Sequence, residues 1–318
     1  MIVRSSHLGF SVPKHTGAWA SVTYPGDQIQ LAEARLTGNV PADTSGAPWP
    51  IAILVPGINV APDGYRWLAV RLAEAGVAAV TYSTIGSLGP AGIGVTPGID
   101  MEALAPDAIG TRCSAPAIPS LLAALAAVEN APITGHLDLG RVALIGHSAG
   151  GTVALHNSRA DWIPGLTAVA TYGAHTMTAT ALGHEEATVV SVPARVPVMI
   201  VGAASDAVVD QSRDRYTSAD GEHDPLGRTF GEAIGRDDQD SWLVELADGN
   251  HFTICHPVDE TSGRTFLERD LRADDVITRD LLARLLIAFL AEPLGLEGDH
   301  ESLTTLVHDP GVHRWARR

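Results

Sequence analysis

The chain has 318 residues, 45% of them hydrophobic, and a formal net charge of −16 from 37 acidic and 21 basic residues. That balance argues against nucleic acid or an anionic membrane surface as a partner, since both draw affinity from clustered Lys and Arg and no basic stripe occurs. No signal-peptide core and no apolar run of membrane-spanning length is found, so the expectation is a soluble, cytoplasmic protein. The two cysteines, Cys113 and Cys255, lie far apart without metal or redox spacing. They make no disulfide framework, and a single bridge between them is left open.

Residues 18–25 (AWASVTYP) and 28–38 (QIQLAEARLTG) read as early strands around a Pro-Gly-Asp turn, followed by a polar, Pro-rich loop. Residues 51–57 (IAILVPG) form an apolar run without alternation, which suits a strand buried on both faces. A helical repeat at 63–76 and a second buried strand at 77–83 complete a βαβ unit. The Gly/Pro-rich stretch 85–115 reads as a long surface excursion, and 118–130 as an Ala/Leu-rich core helix. Strands follow at 141–146, 166–173, 196–202 and 241–248, and an amphipathic helix at 276–295 is stopped by Pro293. Strands alternating with helices predict an α/β protein, one domain over residues 1–318. Its sheet is mainly parallel, with helices on both faces and antiparallel strands at the N-terminal edge. Insertions are expected at about 85–115 and 208–240.

The stretch RVALIGHSAGGTVAL (141–155) carries the chemistry. Gly-His-Ser-Ala-Gly between a buried strand and a helix has the context of a nucleophile elbow, where glycines two before and two after the serine leave room for close backbone approach. A serine hydroxyl needs a histidine base held by a carboxylate, and in this architecture the chain order is Ser, then acid, then His. Asp206 follows the strand VPVMIVG, with Asp210 as its rival, and His251 follows SWLVELAD through a Gly-Asn turn. His223 lies in a polar loop with no strand before it. Ser148, Asp206 and His251 are therefore the candidate triad. The backbone N–H of Ala149, at a helix N-terminus, is one oxyanion donor. The second is the N–H of Ile58 in VPGINV, with Asn59 as the alternative and as a substrate-binding candidate. His147, inside the elbow beside the nucleophile, is read as packing beneath the site and is kept as a substrate-binding candidate. No histidine pair stands at i, i+4 and no EF-hand order occurs, so no metal is predicted, and no organic cofactor is implied.

From about Ile51 to Leu290 the chain resembles the α/β-hydrolase superfamily. The stretches ILVPGINVAPDGYRWLAVRLAEAGVAAVTYS, GHSAGG, GAASDAVV and GNHF are most similar to the branch with bacterial cutinases and polyester hydrolases, chlorophyllases, dienelactone hydrolases and platelet-activating-factor acetylhydrolases. The resemblance implies the α/β-hydrolase fold, esterase activity and no cofactor. It puts an oxyanion donor on Ile58, where polyester hydrolases carry an aromatic, and a residue that helps hold the acyl group near His175. Both departures weaken polyester activity, and serine at 148 argues against dienelactone hydrolase proper, which uses cysteine. A small or polymeric ester is thus the expected partner. An amidase, peptidase or thioesterase on the same triad, and a binding protein that has kept the fold without chemistry, are the alternatives. The charged stretch 208–240 reads equally as a lid and as a solvated acidic loop.

Overall fold

In the computed structural model, which describes residues 2–27, 32–88, 92–211, 223–235, 240–268 and 276–318, the described residues form one ten-stranded sheet. The strands are β1 (Ile2–Gly9), β2 (Gly17–Gly26), β3 (Trp49–Val55), β4 (Ala78–Ser87), β5 (Ile93–Thr96), β6 (Leu137–His147), β7 (Leu166–Tyr172), β8 (Val198–Ala203), β9 (Trp242–Leu246) and β10 (Val312–Arg317). Their order is β1-β2-β4-β3-β6-β7-β8-β9-β10, with β5 beside β4. The six strands from β4 to β9 along this order run parallel. Antiparallel strands flank them, β1 and β2 at one edge and β10 at the other. The protein is thus mixed α/β with a mostly parallel sheet.

The unalternated strands are explained by where their side chains go. Successive residues of a strand face opposite sides of the sheet. Ile51, Ile53 and Val55 of β3 and Val142 and Leu144 of β6 enter one core, while Ala52, Leu54, Ala143 and Ile145 enter the other. Helix α1 (Ala32–Thr37) is a short surface element. Helices α3 (Ala117–Ala126) and α4 (Ala149–His156) cover the first face through Leu121, Leu125, Val153 and Leu155. The second face is covered by α2 (Arg66–Glu74) and α7 (Val276–Leu294), through Leu68, Leu72, Leu282, Leu286 and Leu290. Three one-turn helices are also present among the described residues: α5 (Ala207–Asp210), α6 (Pro225–Arg228) and α8 (Leu303–Leu306). No helix among the described residues is long and apolar enough to cross a membrane.

Several expectations change. Residues 32–37 are helical, not a strand, because Ala, Glu, Arg and Leu are strong helix formers and no strand partner is offered to them; residues 28–31 lie outside the described ones. The described residues of 85–115 are only partly a surface excursion: β4 runs on to Ser87, β5 pairs back onto it, and Ala103, Leu104, Ser114 and Ala115 are buried, while residues 89–91 lie outside the described ones. Pro293 does not stop the last helix, which continues to Leu294. Gly295 ends it with φ +60, as the N–H groups of Gly295 and Leu296 return to the carbonyls of Glu292 and Ala291. Strand β10 was not foreseen. Of the stretch read as lid or loop, residues 225–234 send Leu226, Phe230, Ala233 and Ile234 into the core. Residues 212–222 and 236–239 lie outside the described ones. Both cysteines are free thiols.

Candidate active site

Ser148, Asp206 and His251 each follow the carboxyl end of a parallel strand, β6, β8 and β9 respectively, and Gly173 follows β7 between them. Side-by-side parallel pairing therefore gathers at one end of the sheet residues separated by up to about a hundred positions, at the place where open α/β sheets hold their ligands. Ser148 and His251 line one cavity of about 350 Å³, together with Ile58, Asn59, Ala149 and His175. A larger polar cleft, about 690 Å³, opens beside Asp206, Asp210 and His223, but neither Ser148 nor His251 lines it.

Ser148 sits in a sharp turn at φ 54 and ψ −125, a conformation that costs a non-glycine residue free energy and is typical of functional sites. The turn is held by its surroundings. The Ser148 N–H donates to the Tyr172 carbonyl at 2.9 Å, and the Ser148 carbonyl accepts from the N–H groups of Gly151 and Thr152, which starts α4. Gly150 is required by close approach: a Cβ there would stand 2.3 Å from the Val55 carbonyl oxygen.

His251 Nδ1 and Asp206 Oδ2 are 2.8 Å apart and both residues are buried. The carboxylate can only accept, so Nδ1 carries a proton, and Nε2 is the ring nitrogen left to act as acceptor in the neutral tautomer. Asp206 is itself oriented, because its Oδ1 accepts from the Val209 N–H at 2.8 Å as the N-cap of α5. The partner that the structure gives His251 is Asp206, and Asp210 stands one turn further on. The His251 backbone is fixed from both sides: its N–H donates to Glu268 Oε1 at 3.0 Å, and its carbonyl accepts from His147 Nε2 at 3.0 Å. Burial lifts Glu268 above the usual carboxylate range, against the pull of the bond from His251. His223 is placed elsewhere, with Nε2 donating to the Val209 carbonyl.

His147 belongs to the support beneath the site. Since Nε2 must donate to a carbonyl, Nδ1 is the acceptor, and the Tyr65 hydroxyl donates to it at 2.8 Å. The Tyr65 oxygen in turn accepts from the Gly57 N–H at 3.0 Å. One chain of hydrogen bonds thus joins the loop after β3 to the His251 backbone. Burial, then the nearby His251, holds His147 well below the usual histidine value, so it stays neutral in this role.

The loop after β3 separates the two oxyanion candidates. The Asn59 N–H donates to the Val95 carbonyl at 2.9 Å and its side chain accepts from the Val95 N–H at 3.1 Å, which ties the loop to β5 and occupies that donor. The Ile58 and Ala149 N–H groups have no hydrogen-bond partner among the described residues. His175 is buried in the cavity wall, and burial pushes it down to about 4, so it is neutral. Its carbonyl accepts from Thr152 Oγ1 at 2.8 Å.

Tyr65, Glu268, Gly173 and His156 are the parts that sequence reading did not single out. Tyr65 read only as a residue of the helical repeat. Glu268 lies in the polar stretch after His251, which also sends Gly263 and Arg264 to the cavity. Only contacts across the fold give these residues a place. No protein-family model matches the chain, and no curated protein matches it in sequence.

Proposed function

We propose that the protein is a serine hydrolase of carboxylic esters with the α/β-hydrolase fold. The observation that carries this reading is the buried His251–Asp206 hydrogen bond at 2.8 Å, which leaves Nε2 as a base in the cavity that Ser148 also lines. His251 takes the Ser148 proton as the oxygen attacks the acyl carbon. The N–H groups of Ile58 and Ala149 bind the oxyanion, the histidine returns the proton to the leaving alcohol, and Asp206 stabilises the imidazolium. Water, deprotonated by the same histidine, then releases the acid and regenerates Ser148.

The cavity supports a choice of acyl group. Its wall is largely apolar, from Ile99, Met101, Leu104, Ile109, Met177 and Leu182, and its 350 Å³ suits a single short to medium acyl chain. The net charge of −16 disfavours anionic substrates by repulsion. The test is hydrolysis of p-nitrophenyl esters from acetyl to palmitoyl by the wild type and Ser148→Ala. A rate that peaks at short to medium chains and is lost in the variant is expected. Equal rates from the two proteins would overturn the reading.

A further inference from the structure

Helix α4 begins at the nucleophile and ends at His156. Ser148, Thr152 and His156 are spaced i, i+4, i+8, so they stand on one face of the helix, and all three line the 350 Å³ cavity. At 1.5 Å per residue His156 is about 12 Å along the helix from Ser148. Both ends of the helix thus contribute to one pocket, with Ser148 partly exposed and His156 buried.

His156 is buried, 5% exposed, and neither of its ring nitrogens has a hydrogen-bond partner among the described residues. Two polar groups near it are paired. Thr152 Oγ1 donates to the His175 carbonyl, and His184 Nε2 donates to the Leu104 carbonyl at 2.8 Å. Next to His156, Asn157 is locked in place, accepting from the Ser114 N–H at 2.8 Å and donating to Ser114 Oγ and the Val153 carbonyl. The orphan is thus held on a rigid element rather than on a mobile loop. A buried polar group left unpaired costs free energy, and native structures supply partners to the great majority of such groups.

We propose that His156 is a specificity-determining residue, receiving an uncharged carbonyl-type oxygen carried far along the acyl chain of the substrate. Neutral imidazole has one N–H, which no group among the described residues receives, so a substrate acceptor is a partner this site can use. Burial pushes His156 down to about 4, with His184 adding to the effect, so no cationic imidazole is present near neutrality to attract a carboxylate. A carboxylate terminus would be desolvated there beside a neutral imidazole. The ligand class is therefore an ester of a medium-length acid bearing a distal ketone, ester or amide carbonyl.

This inference rests on the ester-hydrolase reading of Ser148, and its test separates the two. The substrates are p-nitrophenyl octanoate and its analogue with a ketone next to the terminal methyl. The proteins are wild type, His156→Leu and His156→Gln. The wild type is expected to favour the keto ester about tenfold in kcat/KM, the worth of one neutral hydrogen bond. His156→Leu brings that ratio to about one and His156→Gln, whose amide can donate, restores part of it. A wild-type ratio near one, or a ratio unchanged in His156→Leu, with octanoate still turned over, overturns the inference and leaves the esterase reading intact. If neither ester is turned over, the esterase reading fails and calorimetry decides. Methyl oxo-octanoate binding Ser148→Ala protein about tenfold tighter than methyl octanoate, only with His156 present, supports the site; equal binding removes it.

Discussion

Replacing Gly173 by alanine tests whether the Asp206–His251 pair is the working pair. Gly173 has φ +59, and a Cβ built there stands 2.8 Å from His251 Nδ1 and 3.0 Å from Asp206 Oδ2. Ordinary contact begins at 3.4 Å, so the imidazole must retreat by 0.6 Å, the difference between 3.4 and 2.8. An L-residue in the left-handed region costs about 1–2 kcal/mol. Overpacking adds roughly 1–3 kcal/mol, so the sum is less than the stability of most domains of this kind. The variant should fold. A base displaced by a sizeable fraction of an ångström loses on the order of 10²-fold in rate. The assay is p-nitrophenyl butyrate turnover, with urea unfolding of the same preparation to show that the protein is folded. A folded Gly173→Ala protein within threefold of wild-type kcat/KM would refute the reasoning.

Tyr65→Phe removes the acceptor of the Gly57 N–H and the donor to His147 Nδ1 at once. Two buried groups left unpaired should cost roughly 2–4 kcal/mol in urea unfolding, and kcat should fall as the loop carrying Ile58 loosens; a loss below about 0.5 kcal/mol would contradict the hydrogen-bond chain. Stability should also depend on pH through the buried histidines. Burial depresses His156 and His175 from 6.5 to about 4 in the folded state. The unfolded chain therefore binds more protons in that window, and the stability present above 6.5 is lost as pH falls towards 4. The slope should be about 1.4 kcal/mol per pH unit for each histidine, flattened by one proton in His156→Leu. Urea midpoints that do not move between pH 7 and pH 5 would count against it.

The central strands were legible because burial on both faces removes alternation, and residues 51–55 and 142–145 carry that pattern openly. The elements that escaped were those decided by long-range pairing. Residues 32–37 carry helix formers in a stretch that also permits a strand, and β10 alternates half-buried and exposed residues in a tail whose partner, β9, lies some seventy positions earlier. At the site, Ser148, Asp206 and His251 stood out because each follows a strand, a local property. Tyr65, Gly173 and Glu268 did not, because what distinguishes them is contact. Tyr65 meets His147 across 82 positions, and Glu268 meets His251 across a loop of 17. The choice between Ile58 and Asn59 likewise needed the pairing of Asn59 with Val95, which no local pattern announces.

The most direct test of the central claim is where a fluorophosphonate attaches. Digestion and mass spectrometry of the labelled protein should find one phosphonyl group, on the peptide containing Ser148, and none after His251→Ala. Labelling at another residue, or undiminished labelling of Ser148 without His251, would contradict the assignment of nucleophile and base.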